Sequence, residues 1–292
     1  PEIRARMRQR HRQETFWYGN FRNQHPDSLV LGWETYEPHP RYATNWFGMR
    51  NRMSILSEAY SNAPFADRIS VTYNFVLEIL RYAAAERDTI KRLNARSDWT
   101  RPDSVIVRSE LAEPRMTEVI AEITEPAQEG SGPYARRKRT GVFRTVRMPV
   151  FDRFRPVLKE PIRAGYLLPA QHGHLVELLR RQGIVVERLE QSWSGSVEAF
   201  AIDSIAAAPN PFEGHRLVRI NGAWQTDTAT ALPGWHFVPT DQRLGVLAAY
   251  LLEPRAEDGF VTWNLLDRDL RRGVRYPILR IGTPPGSRIM VP

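Results

Sequence analysis

The chain has 292 residues, 42% hydrophobic and 25% charged, with a net charge of +8 and no cysteine. That length supports a sizeable core and points to two domains of an ordinary globular protein. Disulfides, thiolate zinc sites and a cysteine nucleophile are excluded, and no apolar run approaches the ~20 residues of a membrane-spanning helix.

A basic amphipathic stretch, Glu2 to Arg12, opens the chain. It starts on Pro1 rather than Met and has no signal-peptide pattern, so the sequence reads as a portion or processed product of a longer protein. His11 and Glu14 match His-x-x-Glu, two thirds of a zinc site. Neighbouring arginines disfavour a further cation there, and the pair reads as a solvated helix face. Phe16 to Phe21 and Asp27 to Tyr36 are expected as short aromatic strands or loops. Thr35 to Asn45 is a proline-stiffened loop carrying Tyr36 and Tyr42, open to two readings: substrate-covering tyrosines or loop packing.

Met53 to Leu56 is expected as a buried strand that delivers Glu58 to its carboxyl end, where open α/β sheets bind ligands. The competing reading is a residue capping the next helix. Pro64 to Asn94 then reads as one long helix, with Pro at the first turn and Asp67 near the positive end of the dipole. Ile69, Tyr73, Val76, Leu77, Leu80 and Ala84 recur at helical steps and are expected in the core.

From Asp98 to about Pro161 the pattern changes to short alternating runs, Val105–Val107, Glu118–Ile123 and Gly141–Val146, punctuated by Pro and Gly. A small β insertion or bridging segment is expected there. Beyond it, Ala164 to Pro169 is a strand, Gln171 to Gln182 a short helix closed by Gly183, and Ile184 to Leu189 a strand, a β-α-β unit. Strands are expected at Val197–Ile202, His215–Ile220 and Trp235–Pro239, and a helix at Arg243–Leu252. Asp258 to Asp267 closes an α/β module with no Gly-rich phosphate loop and no nucleophile elbow.

Only Lys91, Lys138 and Lys159 interrupt an otherwise all-Arg basic complement. The one dense run, Arg136 to Arg139, lies beside Gly130–Pro133 in an expected loop, without the interleaved aromatics of a single-strand groove. Compositional bias explains it better than nucleic-acid binding. His172 and His174, two apart at a helix start, suit a metal poorly and read as surface or capping residues. His215 and His236 stand alone in strand contexts, and His25 and His39 in Pro-flanked loops.

The run Pro40-Arg-Tyr-Ala-Thr-Asn-Trp-Phe-Gly-Met-Arg-Asn-Arg-Met-Ser-Ile-Leu-Ser-Glu-Ala-Tyr60 resembles the closing part of the catalytic domain of zinc metallocarboxypeptidases of the carboxypeptidase A type. It is most similar to large bacterial members that also carry a C-terminal module. Gly165–Pro169, Pro211–His215, Tyr250–Pro254 and Asp258–Asn264 resemble segments of that module.

The resemblance implies an α/β chain: residues 1–97 as the C-terminal part of an α/β/α mixed-sheet catalytic domain, 98–160 as the β segment, and 161–292 as the α/β module. It implies a peptide substrate, Glu58 as general acid and base, and Tyr36 on the substrate loop with Tyr42 in reserve. Zinc is the implied cofactor, its ligands lying N-terminal to this chain, so that the chain alone is expected to be inactive. A secreted or periplasmic setting follows, with no nucleic-acid partner; the oligomeric state is left open. The rival expectation is a non-catalytic peptide- or cell-wall-binding protein on a degenerate peptidase scaffold.

Overall fold

The computed structural model describes residues 1–23, 26–126, 137–286 and 288–290. In chain order the first elements are α1 (Glu2–His11), β1 (Asn20–Phe21), β2 (Trp33–Glu34), α2 (Ala43–Met49), α3 (Phe65–Ala85), α4 (Arg87–Trp99), β3 (Ser104–Leu111), β4 (Arg115–Pro126), β5 (Arg137–Phe151) and β6 (Phe154–Pro161). They continue with β7 (Gly165–Leu168), α5 (Gly173–Arg181), β8 (Glu187–Leu189), β9 (Trp193–Ala207), β10 (Val218–Ala231), β11 (His236–Pro239), α6 (Gly245–Leu252), β12 (Leu279–Ile281) and β13 (Arg288–Met290). The α/β class read from the sequence holds.

The chain divides into two compact units. Pro1–Pro38, Ile55–Lys91 and Glu110–Arg155 make the first; His39–Ser54, Arg92–Ser109 and Pro156–Pro292 make the second.

In the first unit a four-stranded sheet runs in the order β1-β2-β5-β4, with β4 and β5 antiparallel and β2 parallel to β5. Alternation along the β4–β5 ladder sends Val119, Ala121, Met148 and Val150 to one face, where they bury with Leu29. Phe16 and Phe21 meet Trp33 edge-on, at ring separations of 5.7 and 5.0 Å, and extend that core. Gly32 has φ +112°, and a Cβ there would meet the Pro149 carbonyl at 2.5 Å, so no other residue type fits the turn into β2.

Two expectations fail in this unit. The long helix breaks at Glu86, whose φ of −101° and ψ of 17° end α3 before α4 starts. The apolar stripe of α3 is also not core: Ile69, Tyr73 and Leu80 are 55, 66 and 61% exposed. Glu78 takes the buried face instead, receiving Arg10 and His11 of α1 and Arg81 of its own helix. Periodicity locates an apolar face, but among the described residues α3 packs chiefly on α1, which leaves much of that face uncovered.

The second unit holds a seven-stranded sheet in the order β10-β9-β12-β7-β11-β8-β13, antiparallel throughout. Both β7 and β8 pair with β11, so the expected β-α-β unit is split by an intervening strand. Tyr166, Leu168 and Val238 point into the main core beneath α5 and α6, while Leu167 and Phe237 point to a smaller cluster on the opposite face. Gly183 closes α5 at φ +79°, its N–H reaching the Arg180 carbonyl at 2.8 Å.

Beneath this sheet lies a buried charged cluster. Arg280 donates to Glu160 at 2.6 Å and to Glu253 at 2.8 Å, and the Tyr166 hydroxyl also donates to Glu253. Arg255 reaches Glu160 at 2.7 Å. Among the described residues no helix is long and apolar enough to cross a membrane.

Candidate functional site

Glu58 lies in an irregular stretch between α2 and α3 that is neither helix nor strand, and the residue is exposed. Met53, Ile55 and Leu56 are exposed as well, which corrects the expectation of a buried strand. A run of apolar residues becomes a strand only when neighbouring strands take up its N–H and C=O groups, and none of the described strands pairs with it.

The turn after Glu58 is firmly held. Ala63 N–H closes it on the Tyr60 carbonyl at 2.9 Å, and the Asn62 side chain donates to the Tyr60 hydroxyl at 3.2 Å. Arg139 of β5 donates to the Asn62 carbonyl at 2.6 Å and grips Glu122 of β4 at 2.8 and 2.9 Å. Burial works against the Glu122 charge, but Arg139, Tyr60 and the Gly141 N–H hold this carboxyl below its ordinary range. Arg139, read as part of a loop, is therefore a strand residue that anchors the turn after Glu58. The rest of that expected loop, residues 130–136, and His25 lie outside the described residues.

Tyr36 belongs to the same unit as Glu58. Its ring meets that of Tyr18 edge-on, with centroids 5.1 Å apart. Burial first, then the charge of Glu58 and the neighbouring Tyr36, push the Tyr18 phenol above its ordinary value. Tyr18 and Tyr36 are thus in ring contact, and the charge of Glu58 reaches the Tyr18 phenol. Tyr18 and the Arg139–Glu122 pair were missed from sequence, since only tertiary pairing brings them to this place.

Tyr42 belongs to the second unit, at the N-terminus of α2, where its carbonyl receives the Trp46 N–H at 2.9 Å.

The described histidines do not assemble a metal site. His11 sits 3.1 Å from Glu78, and Glu14 takes two hydrogen bonds from Arg8, each 2.8 Å. His11 is therefore a hydrogen-bond partner of a buried carboxylate rather than a solvated face. His172 is buried, not at the surface, and burial lowers its pKa. Burial likewise lowers His236. His215 contacts Asn264 at 3.2 Å, and His39 lies 3.7 Å from Glu257. Among the described residues no group of three or more His, Asp and Glu could hold a metal ion. The described residues do not fit a zinc site.

The chain is 28% identical over 126 residues to Carboxypeptidase 2 of Trichophyton rubrum, a match covering 43% of this chain and 23% of that protein. It is 27% identical over 117 residues to Carboxypeptidase 2 of Trichophyton tonsurans, covering 40% and 21%. The relationship is carboxypeptidase-like. The matches span about a fifth to a quarter of the length of these curated relatives. No protein-family profile matches the chain, and no solved structure does.

Proposed function

We propose that this chain contributes the proton-transfer side of a zinc carboxypeptidase-like peptidase, with Glu58 as general acid and base and Tyr36 as a substrate-contacting phenol. The observation that supports this reading is the Tyr18–Tyr36 ring pair, in the same unit as Glu58 and reached by its charge, in a chain related to carboxypeptidases.

In peptide hydrolysis the carboxylate takes a proton from the attacking water and returns it to the leaving amine. Such a positioned base contributes about 10²–10⁴-fold. Tyr36 would hydrogen-bond the substrate, with Tyr42 as the alternative loop tyrosine. Zinc, in this reading, is held by residues outside this chain. The bare apolar run 53–56 and the outward stripe of α3 support the same reading, as surfaces that the rest of a catalytic domain would cover. The division at residues 97 and 160 and a secreted or periplasmic setting belong to this proposal.

The test is Glu58→Gln in the complete protein carrying this chain, prepared with zinc. Peptidase kcat/KM should fall by about 10²–10⁴ with zinc content unchanged, and wild-type activity in the variant would sink the reading. The exposure of Glu58 favours a second reading, a non-catalytic peptide- or cell-wall-binding protein. That reading requires that the complete protein bind peptide without hydrolysing it.

A further inference from the structure

The segments Pro211–His215 and Asp258–Asn264 of the second unit converge on one side chain, Arg41. Its backbone N–H donates to Asp258 Oδ2 at 2.6 Å and its Nε to Oδ1 at 2.8 Å, while a terminal guanidinium nitrogen lies 2.6 Å from Oδ1. Trp263 Nε1 adds a further donor to Oδ1 at 2.8 Å. The guanidinium lies 4.9 Å from the ring centres of both Phe212 and Trp263. His215 packs edge-on against Trp263 at 5.2 Å and accepts or donates a hydrogen bond with Asn264.

The Asp258 side chain is only 2% exposed and that of Arg41 12%. A carboxylate so removed from water needs its cation, and two flanking rings select a planar guanidinium over an ammonium. This Arg is therefore specified by its surroundings.

The grip extends along the chain. His39 lies 3.7 Å from Glu257, Arg50 donates to the Gln182 carbonyl at 2.7 Å, and the Asn51 side chain donates to the Arg243 carbonyl at 2.9 Å. Arg52 pairs with Asp98 at 2.8 and 3.0 Å. Trp46 and Met49 pack against the main core. Pro38 and Pro40 remove further backbone freedom on the entry side.

We infer that Arg41 is a positioning residue, and that the C-terminal module serves to hold the loop that carries Tyr42. The module acts by fixing this loop. The part concerning substrate rests on the peptidase reading; the grip itself does not.

Two arms test it. In the 292-residue chain, Arg41→Ala and Asp258→Asn should raise amide exchange across residues 39–49 by about tenfold or more, with exchange in β9 and β10 unchanged. Unchanged exchange across 39–49 in both variants overturns the grip. In the complete zinc-loaded protein, Arg41→Ala should raise the KM for a peptide substrate about tenfold, with a smaller change in kcat and no loss of zinc. Arg41→Lys keeps the charge but loses the stacked fork, and should recover only part of the KM. Wild-type KM in Arg41→Ala overturns the positioning role. A wild-type protein inactive on all peptides overturns the peptidase reading and Tyr42's part in it, while the exchange arm still decides the grip.

Discussion

Charges removed from water survive only where other charges or donors replace the solvent, and this chain does that at several single residues. Arg280 is the clearest case, because Glu160 and Glu253 both depend on it. Replacing it by Met leaves two buried carboxylates without their shared cation. The loss should be about 3–5 kcal/mol, read as a lower urea midpoint for the second unit; an unchanged midpoint would show that the cluster is not structural. Glu78 gives a pH signature in the first unit. Burial pushes its carboxyl up, but His11, Arg81 and Arg10 outweigh that and bring it down to about 2, from 4.5. A depressed pKa means that the unfolded chain binds the proton more readily. The stabilisation is therefore complete above pH 4.5 and lost as pH falls towards 2. Thermal melts between about pH 5 and 2 should drop less steeply for Glu78→Gln than for the wild type. The sequence held a sign of this: a lone carboxylate inside the apolar run Phe75-Val-Leu-Glu-Ile-Leu80. Glu58 and Tyr36 stood out because their motif is local in the chain. Tyr18 could not, since its partners are fixed only by folding.

At the level of elements, alternation and helical periodicity located β7, β9, β11, α5 and α6 of the second unit, which pack on its core and where propensity agrees with environment. In the first unit the same signals revealed element type but not environment. The stripe on α3 is apolar as its periodicity indicates, yet periodicity cannot say whether anything lies against it. Met53 to Leu56 has strand-forming composition but no strand to pair with among the described residues, so its backbone stays outside any sheet. The bare stripe has a measurable consequence. Pairing Ile69→Glu with Leu80→Lys should raise the concentration at which the 292-residue chain self-associates, followed by sedimentation velocity. If the double variant associates like the wild type, the stripe is not the adhesive surface.

Across the whole molecule the chain alternates between two compact units. The chain passes between units at 38/39, 54/55, 91/92, 109/110 and 155/156, and one such excursion places residues 39–54 among partners far along the sequence. Arg41 and Asp258 are separated by 217 residues. At synthesis rates of about 5–20 residues per second, Arg41 leaves the ribosome roughly 10–40 s before the carboxylate it needs. During that interval the loop bearing Tyr42 has no socket, and the turn that follows Glu58 waits in the same way for the later strands β4 and β5. Ordering of this loop is thus tied to completion of the chain: a product truncated before Asp258 would lack the loop's socket, even with Glu58, Tyr18 and Tyr36 already made.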